Sequence, residues 1–114
     1  MLPRTRSRAA ADRHYAPIFA ALGDETRLSI VTVLSDGEPR SIARLTEGTR
    51  LTRQAVTKHL RVLEGVHIVR SIRAGRENLF ELDPVPIREV REYAEVVSAH
   101  WDRALGRLKA MEER

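Results

Sequence analysis

The chain has 114 residues, enough for one domain with a single modest core and too few for a large enzyme. Charged residues make up 32% and hydrophobic ones 42%, a balance that excludes a disordered or membrane-embedded chain. With 20 Lys+Arg against 16 Asp+Glu the formal net charge is +4, which favours an anionic partner. Cysteine is absent, so disulfides, thiolate nucleophiles and Cys-ligated metals are excluded, and a reducing cytoplasm fits. The N-terminal residues have the positive charge of a signal peptide without its apolar segment, and no apolar run approaches the ~18 residues of a membrane span.

In chain order, residues 1–13 read as a basic, flexible arm, and the folded domain is expected over 14–114. Tyr15, Ile18, Phe19 and Leu22 fall at helical spacing ahead of Gly23, which predicts a first helix over 14–22. Asp24 caps a second helix, about 25–35, stopped by Asp36-Gly37 and Pro39. Ser41 caps a short third helix carrying Ile42, Ala43 and Leu45, and Gly48 ends it. Thr52 caps a fourth, in which Val56, Leu60 and Leu63 repeat at i, i+4, i+7 and leave Arg53, Gln54, Thr57, Lys58 and Arg61 on other faces. The β-branched run 67–73 and the run 77–82, joined by Ala74-Gly75-Arg76, predict a hairpin. Asp83 caps a last helix with Pro84 in its first turn.

That last helix, expected over 84–111, carries Val90, Ala94, Val97, Trp101, Ala104 or Leu105, Leu108 and Met111 at steps of three and four, the spacing of a two-helix seam. About 28 residues at 1.5 Å each span roughly 40 Å, longer than the ~30 Å core a domain of this size builds. A second copy of the chain is therefore expected against Tyr15, Phe19, Val90, Val97, Trp101, Leu105 and Leu108, with Trp101 as an anchor.

The fold class expected is mainly α with a small β-hairpin, in the order α-α-α-α-β-β-α: a winged helix-turn-helix with a long C-terminal dimerisation helix. In that fold the helix after the turn enters the DNA major groove and the hairpin lies along the backbone. Charge supports it, because residues 40–76 hold nine cations against only Glu47 and Glu64. Gln54 and Thr57 are candidates for base edges, and Arg53 or Lys58 could read guanine. Ser41, Arg44, Thr52, Arg61, Arg73 and Arg76 complete the expected duplex contact, mainly to phosphates. His59, one turn after Ala55 and next to Leu60, reads as a partly buried, hydrogen-bonded ring.

Three segments resemble the ArsR-type repressor family: Leu22-Gly23-Asp24-Glu25-Thr26-Arg27-Leu28, the run from Thr52 to Glu64, and Gly75-Arg76-Glu77. Phe80-Glu81-Leu82-Asp83-Pro84 and the run from Trp101 to Lys109 resemble its SdpR-like, metal-independent branch. The resemblance implies a homodimeric, cytoplasmic transcriptional regulator, usually a repressor, that pairs through its first and last helices on double-stranded DNA. The family carries Gly where this chain has His67, so either His67 takes a left-handed conformation or Gly65 ends the helix two residues early. No cofactor is expected. Against a metal sensor, His100 is preceded by Val96 and Val97 and followed by Arg103 and Ala104, which leaves no second ligand per turn. Against an enzyme, the four histidines are scattered and no carboxylate pair sits at catalytic spacing. A winged helix that binds protein instead of DNA would not need Arg73 and Arg76 at the hairpin tip.

Overall fold

The computed structural model describes residues 5–113, with side chains from Arg8 onward. Five helices and three short strands follow in the order α1 (Thr5–Leu22), α2 (Glu25–Leu34), β1 (Arg40–Ser41), α3 (Ile42–Thr46), α4 (Arg53–Gly65), β2 (Val69–Ala74), β3 (Glu77–Leu82) and α5 (Pro84–Glu112). The four expected caps are in place. The side chains of Asp24, Ser41, Thr52 and Asp83 accept the backbone N–H groups of Arg27, Arg44, Ala55 and Val85, which would otherwise be unpaired at a helix start.

Two elements differ from the sequence reading. Residues 5–13 of the expected arm are helical and extend α1 upstream, while residues 1–4 lie outside the described residues. Ala9-Ala10-Ala11 and the flanking arginines are strong helix formers, and that propensity outweighs the absence of an apolar stripe. The hairpin is also not alone: β1 pairs antiparallel with β3, Arg40 opposite Phe80 and Ser41 opposite Leu79, giving a three-stranded sheet of order β1-β3-β2. A two-residue strand is too short to show alternation, and Ser41 already reads as a helix cap.

β1 is moored by Arg40, whose guanidinium donates to both carboxylate oxygens of Asp36 at 2.9 and 2.7 Å and to the Val33 carbonyl at 2.9 Å, fastening it to the end of α2. The Arg40 hydrogen bonds, with the Glu38 N–H, hold the Asp36 carboxyl at about 2, below the ordinary carboxylate range. A carboxyl depressed on folding stabilises the fold above its unfolded value, about 3.9, and loses that contribution as pH falls through its folded value. The urea midpoint of the wild type is therefore expected to drop between about pH 4 and pH 2. Asp36→Asn is expected to show a shallower drop over that interval, and an unchanged acid limb would mean that Asp36 does not contribute.

Between α4 and β2 the chain resolves the alternative posed by His67. α4 runs through Gly65, and His67 takes the left-handed position with φ 63°. The His67 N–H bonds the Glu64 carbonyl and the Ile68 N–H bonds the Leu63 carbonyl, both at 3.0 Å, a complete Schellman closure. Leu63 and Ile68, the apolar pair that accompanies it, are both fully buried. A left-handed non-glycine residue costs about 1–2 kcal/mol, partly offset by the greater unfolded-state entropy of glycine. His67→Gly is expected to raise stability by about 0.5–1 kcal/mol in urea denaturation, and His67→Val to lower it by more than that.

One core joins these elements: Ile18 and Ala21 of α1, Ile30 and Leu34 of α2, Leu45 of α3, Val56, Leu60 and Leu63 of α4, and Ile68, Val69 and Phe80 around the sheet. The second half of α5 runs past it. The molecule measures 67 × 30 × 21 Å, and Val97, Trp101, Leu105, Leu108 and Met111 are all exposed, Trp101 at 63%. Nearer the core α5 packs on α1, where Tyr93 meets Tyr15 at 4.9 Å and Phe19 at 5.4 Å between ring centroids, and His14 hydrogen-bonds Glu89. Val90 is half-buried against the core.

Candidate nucleic-acid interface

The fourth helix presents its buried and polar sides as the sequence spacing requires. Val56, Leu60 and Leu63 face the core, while Arg53, Gln54, Lys58 and Arg61 are exposed and Thr57 is half-buried. Thr52, Arg53, Gln54, Thr57 and Lys58 line one side of an open groove of 680 Å³, and Ile42 and Ala43 of α3 line the other. The groove thus joins the N-terminal ends of α3 and α4. The start of α4 adds its own field, because the first N–H groups of a helix carry partial positive charge and favour an anion beside them.

Other candidates fall elsewhere. Ser41 and Arg44 line a separate depression along the β1 side of the hairpin, with Glu77 and Leu79. Arg73 and Arg76 stand exposed at its tip, where Arg73 Nε donates to the Gly75 carbonyl at 3.3 Å. Ala74 pairs with Glu77, so Gly75 and Arg76 alone make the turn. Gly75, with φ 63°, supplies the positive angle at the first central position that a type II′ turn requires.

The nine cations of residues 40–76 divide by their partners. Arg40 is held by Asp36, Arg61 by Glu64 at 2.9 Å, Arg70 by Glu81 at 2.9 Å, and Arg44 more loosely by Glu47 at 3.9 Å. Arg50, Arg53, Lys58, Arg73 and Arg76 pair with no carboxylate among the described residues. The unneutralised charge therefore lies in the α3–α4 turn, at the start of α4 and at the hairpin tip. Arg50 is absent from the sequence-based site residues. Its position in the turn, between two caps and beside no acid closer than Glu47, is the signal that points to it.

Two side-chain joints fix the cationic helix in place. Arg27 donates from Nε to the Ala21 carbonyl at 2.6 Å and lies 3.2 Å, Nη1 to Nδ1, from His59, so one guanidinium links the end of α1 to α4. His59 is partly buried there, as expected, with Asp24 at 3.7 Å. The Arg27 backbone N–H holds the Asp24 carboxyl below the ordinary carboxylate range. At the other end of the helix, Glu64 accepts from Ser71 Oγ of β2 at 2.7 Å and from Arg61, and these two bonds lower its carboxyl likewise. The hairpin is thereby tied to the last turn of α4. Neither joint is visible in the one-dimensional pattern, because each joins residues brought together only by folding.

Comparison with known proteins gives consistent matches. A family profile described as a helix-turn-helix domain matches residues 22–72. The chain is 34% identical over 87 residues to the HTH-type transcriptional regulator Rv2034 of Mycobacterium tuberculosis, covering 76% of this chain and 78% of that one. Among solved structures, an ArsR-like transcriptional regulator from Rhodococcus sp. RHA1 superposes with a TM-score of 0.75 at 33% identity, over 87% of this chain and 92% of the other. The homodimeric winged helix-turn-helix DNA-binding domain of a possible ArsR-family regulator from Mycobacterium bovis shares the fold, with a TM-score of 0.66 at 19% identity over 90% and 95% of the two chains.

Proposed function

Since the chain belongs to the ArsR-like helix-turn-helix transcriptional regulators, we propose that it acts as a homodimeric repressor in the cytoplasm, binding a pseudo-palindromic operator in double-stranded DNA. The observation that carries this reading is the division of the basic residues. Arg40, Arg61 and Arg70 are paired closely within the protein, whereas Arg50, Arg53, Lys58, Arg73 and Arg76 are left for an external polyanion.

On this reading α4 enters the major groove by its N-terminal half. Arg53, Gln54, Thr57 and Lys58 face base edges and the nearest phosphates, with Thr52 holding the helix start. Arg73 and Arg76 follow the backbone from the hairpin tip, and Ser41 and Arg44 touch it from the β1 side of the sheet. Arg61 contributes less, because it is engaged with Glu64. On this reading these residues act by binding alone, and the protein works as a regulator.

Dimerisation supplies the second half-site. The exposed stripe Val97, Trp101, Leu105 and Leu108 continues the aromatic cluster of Tyr15, Phe19 and Tyr93, and an equal stripe on a second chain would cover it. A twofold axis there sets two α4 helices about one helical turn, roughly 34–36 Å, apart. The test is selection of bound duplexes from a random-sequence library by the full-length protein, with the mass of the complex measured. The expected outcome is an inverted repeat bound by two chains. Recovery of no enriched sequence, or of one chain per duplex, would contradict the proposal.

A further inference from the structure

Resting on that DNA-binding reading, we infer that Thr57 reads the 5-methyl group of a thymine through its own γ-methyl, and not a base edge through its hydroxyl. Three observations lead there. The Thr57 hydroxyl is already spent as a donor, because Oγ1 donates to the Arg53 carbonyl one turn back at 2.7 Å. Breaking that bond to reach an acceptor on a base would exchange one hydrogen bond for another with little net gain. The remaining substituent on the β-carbon is the methyl group, and Thr57 lines the groove between α3 and α4.

The rest of that groove suits an apolar guest. Ile42, Ala43 and Ala55 contribute only hydrocarbon side chains, and they lie among Arg53, Gln54 and Lys58, whose donors are the polar readers on either side. A major groove offers one apolar feature on its base edges, the thymine methyl group; every other base-specific group there is a hydrogen-bond donor or acceptor. An apolar notch between polar readers therefore assigns thymine to the position that Thr57 faces. The donor and acceptor code alone would leave that position to an acceptor-seeking hydroxyl and a broader choice of bases.

The test uses the full-length protein and a duplex it selects from random sequence, with each thymine replaced in turn by deoxyuridine, which removes the methyl and keeps every hydrogen-bonding group. One thymine per half-site is expected to lose about fourfold in affinity on replacement, the value of one methyl group taken out of water. Thr57→Ser, which keeps the hydroxyl and deletes the methyl, is expected to bring that thymine-to-uracil ratio close to one. Thr57→Val, which keeps a methyl and deletes the hydroxyl, is expected to preserve the ratio. The readout is the ratio and not the affinity, so a general weakening of either variant does not obscure it. No methyl effect at any thymine, a ratio that survives Thr57→Ser, or one lost in Thr57→Val would overturn the inference while leaving DNA binding itself intact. Failure to select any duplex would remove the reading beneath it and this inference together.

Discussion

A chain carrying Leu105→Asp is expected to have half the solution mass of the wild type and to bind a selected duplex at least about a hundredfold more weakly. Leu105 lies in the middle of the exposed α5 stripe, one turn beyond Trp101, and is 45% exposed in the single chain. A stripe of this kind is covered when two copies meet, and an aspartate placed within it becomes a carboxylate taken out of water without a partner. That costs several kcal/mol per ion, and a twofold interface contains the residue twice. Loss of the dimer then leaves each half-site to a single protomer, without the gain in effective concentration that linkage provides. The fold itself should persist, because Leu105 makes no part of the core. Light scattering and far-ultraviolet circular dichroism together separate the outcomes: a folded monomer supports the interface, and an unchanged dimer mass places it elsewhere.

The second large effect concerns what holds the recognition helix. Leu60 is fully buried at the centre of the α4 face that meets α1, α2 and the sheet. Leu60→Ala is expected to cost about 2–5 kcal/mol, from lost transfer energy and the cavity left behind. For a domain whose whole stability is typically about 5–15 kcal/mol, that lowers the melting temperature by roughly 10–30 °C. Val62, on the same helix but 43% exposed, is the matched control, and Val62→Ala is expected to cost less than about 1 kcal/mol. Equal losses in the two variants would mean that α4 is not seated by the face described. DNA binding by the Leu60 variant should recover on cooling into its folded range, since none of the exposed cations is altered.

Much of this architecture could be read from residue order. The caps at Asp24, Ser41, Thr52 and Asp83 were legible because capping is chemistry between neighbours three residues apart or fewer. The apolar spacing of α4 told which of its positions face inward. What escaped depends on contacts made across the fold. Arg70 sits directly opposite Glu81 in the ladder, an ion pair fixed by hairpin register and not by proximity in sequence. At His67 the sequence left two alternatives open, and the burial of Ile68 with Leu63 goes with the positive φ that decides between them. Tyr93, the ring shared by Tyr15 and Phe19, lies beside Ala94 in the α5 repeat, and only the packing of α1 on α5 shows that it is the one engaged.

The same distinction bears on the interface. Nine cations in residues 40–76 could be counted from the sequence, but a count does not say which are free. Arg40 joins β1 to α2 and Arg70 braces the hairpin, while Arg61 is paired with Glu64 on its own helix. The residues that remain are expected to dominate the electrostatic part of binding, and they give the account its sharpest measurement. Affinity for a selected duplex should be followed against salt concentration for the wild type, for Arg53, Lys58, Arg73 and Arg76 changed together to alanine, and for Arg40 and Arg70 changed together. Each phosphate that a protein no longer neutralises flattens the slope of log K against log salt by about 0.9. A slope flattened by the equivalent of two or more phosphates in the fourfold variant, and left as it was in the Arg40 and Arg70 variant, is the result expected here; identical slopes in all three proteins would contradict it.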